Sequence, residues 1–183
     1  MVRAAVTGGI AVYSAHTSLD SAPNGVSDVL AGLLGLRKTR PLQPAAGWPA
    51  GYGLGRVGDL PVRMKVREAA GRIKSALGLG TVRLTGDPER TVTRVAVCGG
   101  SGADLIDDAL AAAAGLYVTG DVKYHDALKA VELGLAILDV GHFASEYIVV
   151  PRFAERLSAA FKKKGWTVKV HVSKVQGEPW SYI

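Results

Sequence analysis

"ADLIDDALAAAAGLYVTGDVKYHDALKAVELGLAILDVG", residues 103–141, decides the fold. Two helix-like stretches, "ADLIDDALAAAAG" and "YHDALKAVELG", each lead into a short apolar run, "LYVTGD" and "LAILDVG". Short apolar strands alternating with amphipathic helices predict an α/β fold, with mixed sheets covered by helices. The same alternation extends outward. Upstream, "TVRLTG" (81–86) and "TRVAVCGG" (93–100) read as strands and "KVREAAGRIKSALGLG" (65–80) as a helix with a basic outer face. "GVSDVLAGLLGL" (25–36) is a helix, with Val26, Val29, Leu30, Leu33 and Leu34 on a 3.6-residue period, Asn24 as its N-cap and Gly35 as its stop. "IAVYSAH" (10–16) reads as a short buried strand, and residues 37–58, rich in Gly and Pro, as an extended connector with room for one short strand and no inserted domain. Downstream, residues 142–165 read as one long helix with an internal Pro151, and "TVKVHVS" (167–173) as a closing strand.

The 183 residues are 48% hydrophobic and 21% charged, which fits a single α/β domain over residues 1–183 with a real core. No stretch approaches the roughly 18 consecutive apolar residues of a membrane span. The start of the chain lacks the pattern of a signal peptide. One cysteine, Cys98, allows no internal disulfide, so the expected compartment is a reducing cytoplasm. Of the net charge of +6, the excess sits in residues 37–94, which hold twelve Lys and Arg against four Asp and Glu. Such a stretch attracts phosphate or nucleotide. It lacks the interleaved aromatics and the motifs of a nucleic-acid binder, so nucleic acid is not the expected partner.

In α/β sheets ligands collect at the carboxyl ends of strands, and there the polar residues concentrate. His16 and Asp20 follow the first apolar run, Asp121 and His125 follow "LYVTG", and His142 and Glu146 follow "LAILDVG". The sharpest signal is "GHFASE". Four residues separate His142 from Glu146, which puts both on one helix face, about 6 Å apart at Cβ. That pair suits a shared divalent metal; equally, it suits a helix-start histidine with a glutamate favoured by the helix dipole. "SAHTSLD" has the same spacing in a loop, where Ser14, Thr17 and Asp20 also suit side-chain turns. "CGGSGAD" is a tight glycine turn without the full dinucleotide fingerprint. There is no nucleophile elbow and no Walker loop, and Cys98 reads as a buried structural thiol.

Taken in order, "VYSAHTSLD", "NGVSDVLAGLLGL", "GLGRVGDL", "TRVAVCGGSGADLI", "YVTGDVKYHDAL" and "ILDVGHFASE" resemble the GTP cyclohydrolase 1 type 2 homologue family, also called the Nif-three-like family. The resemblance runs from Ala11 nearly to the end of the chain. It implies a dinuclear divalent-metal centre in a cleft between α/β lobes, and a ring-shaped homohexamer. It assigns Asp20, His142 and Glu146 as metal ligands. His16, Asp121 and His125 fall close by, with His16 and His125 as proton-moving catalytic candidates.

The family's remaining ligands come from an upstream segment with a His-His pair, and this sequence contains no His-His pair. The expectation is therefore a Nif-three-like fold with its N-terminal part missing, either a fragment or a natural truncation, the former being favoured. The ligand set suits zinc, manganese or iron. Two such ions about 3.5–4 Å apart suit hydrolysis at a phosphate ester or a purine ring carbon. The implied function is a metal-dependent hydrolase of a nucleotide or other phosphate-containing substrate; the alternative is a non-catalytic metal-binding, metal-delivery or regulatory protein.

Overall fold

A computed structural model describes residues 2–181. The alternation of helices and strands read from residues 103–141 forms as expected. Strand β4 (Thr91–Ser101) leads through a 3₁₀ turn and helix α5 (Ile106–Ala111) to β5 (Leu116–Gly120), and α6 (Tyr124–Glu132) leads on to β6 (Ala136–Asp139). β4, β5 and β6 pair in parallel. Antiparallel strands extend both sides: β1 (Arg37–Pro44) and β2 (Gly53–Lys65) beyond β4, and β3 (Arg83–Thr85) beyond β6. The order of the six-stranded mixed sheet is β1-β2-β4-β5-β6-β3.

Successive residues of the central strands feed opposite faces, so each face has its own core. Val95, Val97, Leu116, Val118 and Leu138 pack under α3 (Val26–Leu33) and α4 (Val66–Ala76). Ala96, Cys98, Tyr117 and Ile137 pack under α5 and α6. The sheet is thus sandwiched between helices, and both faces of its parallel centre are dry.

Four segments depart from the sequence reading. The Gly/Pro-rich 37–58 stretch is largely the β1–β2 hairpin rather than a connector. Its glycines serve close packing: a Cβ on Gly58 would lie 2.9 Å from the Arg37 carbonyl oxygen of the paired strand. Two of its three prolines, Pro41 and Pro44, sit on the sheet edge, where a missing N–H is tolerated. Residues 10–16 form no strand, and Val12 and Tyr13 are exposed; none of the described strands pairs with them. Residues 167–173 alternate like a strand but also find no ladder partner among the described residues. Alternation predicts a strand only where a neighbour completes the hydrogen bonds.

The long helix after His142 is two helices, α7 (His142–Tyr147) and α8 (Val149–Lys163), with Pro151 in the first turn of α8, where its lack of an N–H costs nothing. A smaller departure is the cap of α3. Gly25 occupies that position, while Asn24 adopts a left-handed φ of 59° and donates its N–H to Asp28. Two short helices the sequence did not announce, α1 (Val2–Thr7) and α2 (Thr17–Ser21), precede α3. Among the described residues no helix is long and apolar enough to cross a membrane.

Candidate metal centre

The three parallel strands end side by side, and each end delivers one element of the site. β4 is irregular at Gly99–Gly100 just before its end, Asp121 follows β5, and His142 follows β6 after Val140 and Gly141. His142 opens α7 and Glu146 lies one turn further, so that His142 Nε2 and Glu146 Oε1 are 3.3 Å apart. On the other side of the ring, His142 Nδ1 is 2.7 Å from Asp121 Oδ2. The imidazole therefore lies between two carboxylates. Partial burial pulls its pKa down, but the hydrogen bond to Asp121 and the charges of Glu146 and Asp121 outweigh burial and raise it.

Asp20, on α2, is half-buried, and its carboxyl is raised above the ordinary aspartate range by burial and then by the charge of Glu146. His16 and His142 offset part of that rise. Asp20 thus feels the charges of Glu146, His16 and His142, while Asp121 borders His142 directly. The corner holds more carboxylate charge than its imidazoles neutralise, which is the condition that favours a proton or a cation there. His125 stands apart. It is exposed on α6, edge-on to the Tyr124 ring at 5.4 Å, with no hydrogen bond to the cluster.

The His142–Glu146 pair fits one edge of a divalent-ion site in three respects. Ligand bonds of roughly 2.0–2.2 Å set neighbouring donors about 3.0–3.5 Å apart, and the His142–Glu146 separation of 3.3 Å matches such an edge. Asp121 on Nδ1 leaves Nε2 for the ion, as carboxylate partners of metal-bound histidines do. Gly100, at φ 69°, supplies a cradle: a Cβ there would overlap Glu146 Oε1 and lie 3.4 Å from His142 Nε2. Among the described residues no three His, Cys, Asp or Glu side chains converge on one point at ligand distance. His142 and Glu146 contact each other directly instead.

The supporting shell includes residues the sequence reading passed over. Ser145, fully buried, accepts the Gly100 N–H at 2.9 Å and donates to the His142 carbonyl at 2.8 Å, which ties the end of β4 to α7. Asp139, only 7% exposed, accepts the N–H of Val122 at 3.0 Å and of Gly141 at 2.9 Å, and pairs with Arg83. One carboxylate thus pins the loop that carries Asp121 to the loop that carries His142. Its only signal in the sequence is an acid closing the otherwise apolar "LAILD" run. Asp121 itself adopts a left-handed φ of 54°, a conformation that costs energy outside glycine and clusters at functional sites. Beneath the site, burial pushes the Cys98 thiol up to about 11, so it is inert at neutral pH.

An α/β sheet with an imidazole–carboxylate cluster at its parallel strand ends defines the class. The model of the Duf34/NIF3 (NGG1p interacting factor 3) family matches residues 1–179, and the chain belongs to that family. It is 40% identical over 185 residues to a protein of Streptomyces coelicolor named GTP cyclohydrolase 1 type 2 homolog, an alignment covering 99% of this chain and 65% of that one. A Streptococcus pneumoniae protein of the same name is 35% identical, over 95% of this chain and 65% of its own length. The chain thus spans 65% of the length of these curated relatives. Among solved structures, the Staphylococcus aureus protein SA1388 superposes with a TM-score of 0.89 at 25% identity, covering 100% of this chain and 72% of that one.

Proposed function

We propose that Asp20, His142 and Glu146 contribute ligands to a divalent-metal centre, dinuclear in its complete form, that serves a hydrolase acting on a nucleotide or another phosphate-containing substrate. The observation that carries this reading is the His142 imidazole, backed by Asp121 at 2.7 Å and facing Glu146 at 3.3 Å. A bound divalent ion would supply Lewis-acid polarisation of a substrate oxygen and a lowered pKa for water. Glu146 and Asp20 hold the negative charge that balances it. Asp121 fixes the ring orientation of His142, and Ser145 and Asp139 hold the loops. His16, whose charge acts on Asp20, would move a proton there; His125, on the α6 surface, would serve a substrate reaching outward along the strand ends. Assembly of the chain into a homohexamer belongs to the same proposal.

The test is hydrolysis of nucleoside triphosphates by the chain loaded with zinc, manganese or iron, with Glu146→Gln as control. Turnover that disappears in Glu146→Gln while the circular dichroism is unchanged is the expected result. Metal uptake without turnover on any substrate would refute the hydrolase reading and favour metal delivery or regulation. Turnover that survives the substitution would place the chemistry elsewhere.

A further inference from the structure

One strand further out along the same edge, a cavity of about 240 Å³ opens between β3, β6 and α6. Its floor is built by register. Ile137 and Asp139 point to one face of β6, and their antiparallel partners Thr85 and Arg83 share that face on β3. Tyr124 and Ala127 of α6 form the wall. Because β3 is the last strand of the sheet, the cavity opens beside it, while Ile137 and Asp139 at its base are buried.

The charges of the cavity are unequal in availability. Asp139 is engaged by two backbone N–H groups and by Arg83. Arg83 spends Nη2 on Asp139 and on the Val122 carbonyl at 3.1 Å. Its Nε and Nη1 make no hydrogen bond among the described residues, and its side chain is 72% exposed. The Arg83–Asp139 pair is neutral overall, and what it leaves open in the cavity is the two guanidinium donors Nε and Nη1. Tyr124 adds an exposed aromatic ring, backed edge-on by His125. A cavity of about 150 Å³ admits benzene, so this one holds a fused ring or a ring with a small substituent.

We propose that this cavity binds a small planar aromatic monocarboxylate, its ring against Tyr124 over the Ile137–Thr85 floor and its carboxylate on the guanidinium donors that Asp139 leaves free. Aromatic surface and the open guanidinium donors favour such a ligand over a neutral ring, which leaves Nε and Nη1 to water, and over a dianion, whose second charge meets Asp139. The site does not depend on metal, and its failure leaves the metal reading untouched.

Indole-3-carboxylate is the probe and indole-3-methanol its neutral counterpart, each titrated into the metal-free full chain by calorimetry and by amide NMR. The carboxylate is expected to bind about tenfold tighter or more, since a charge-assisted hydrogen bond is roughly twice as strong as a neutral one. Amide shifts should centre on Thr85, Ala127 and Ile137. Tyr124→Ala, at an exposed position that the fold does not need, should weaken binding about fivefold or more. Arg83→Met should abolish the preference for the anion. Equal affinity for the two probes, shifts centred on His142 and Glu146, or undiminished affinity in Tyr124→Ala would overturn the proposal. So would the absence of binding up to about 10 mM, a limit close to that of specific recognition. Self-association of the chain that Tyr124→Ala abolishes, with no probe bound, would show the face to be a protein interface instead.

Discussion

Asp139→Asn isolates the residue that holds the two site loops together. The carboxylate accepts from Val122 N at 3.0 Å and Gly141 N at 2.9 Å with different oxygens, and it is nearly fully buried. Asparagine keeps one acceptor oxygen and turns an NH₂ toward the other donor. Hydrogen bonds to a charged group are worth about 1.5–3 kcal/mol each, and an unsatisfied buried donor costs a further 1–3 kcal/mol or so. The ion pair with Arg83 adds little, because the guanidinium is largely in water. A loss of about 2–4 kcal/mol is therefore expected, read as a lower urea midpoint at unchanged slope. Asp121 directly precedes the pinned Val122 amide, and His142 directly follows the pinned Gly141 amide. Metal affinity, measured by chelator competition on the folded variant, should fall about 10–100-fold, as it does when outer partners of metal ligands are removed. A loss below about 0.5 kcal/mol, the range of ordinary surface changes, together with unchanged affinity, would refute the reasoning.

Other substitutions probe other parts of the structure. Gly100→Ala should cost about 1–3 kcal/mol through its left-handed backbone and should also displace Glu146, so that thermal stability and metal uptake fall together. Asp28→Asn should cost about 3 kcal/mol in urea unfolding. It leaves the buried Arg56 guanidinium, otherwise held only by the carbonyls of Ala22, Gly51, Gly53 and Gly55, without its carboxylate. Cys98 titrates near 11 in the folded chain but near 8.5 when unfolded, so its contribution to stability is complete at neutral pH and is lost as pH rises between those values. The urea midpoint should fall more steeply from pH 8 to 10 in the parent than in Cys98→Ala, and iodoacetamide at pH 8 should label Cys98 only in urea.

The centre of the fold was legible because its information is local. Strand, helix and strand alternate between residues 91 and 139, and each apolar run meets a neighbour with which to pair. "GHFASE" was legible for the same reason: a four-residue spacing on a helix fixes where His142 and Glu146 stand. The role of Asp139 was not, because two amides brought together by separate strand ends create it. The β1–β2 hairpin hid behind glycines that look like loop residues until Gly58 is seen against Arg37. Residues 10–16 and 167–173 erred in the opposite direction, with apolar alternation but no partner strand. The nearness of Asp20 to Glu146 depends on how α2 sits against β2, which no spacing within "SAHTSLD" encodes.

Metal content per folded chain, by plasma mass spectrometry after gel filtration, tests the central claim most directly when Asp20→Ala and His142→Ala are measured beside the parent. The proposed centre predicts bound zinc, manganese or iron in the parent, approaching two ions per chain where the site is complete, and its loss in both variants with the fold intact. A metal-free parent after loading, or metal retained by both variants, would contradict it.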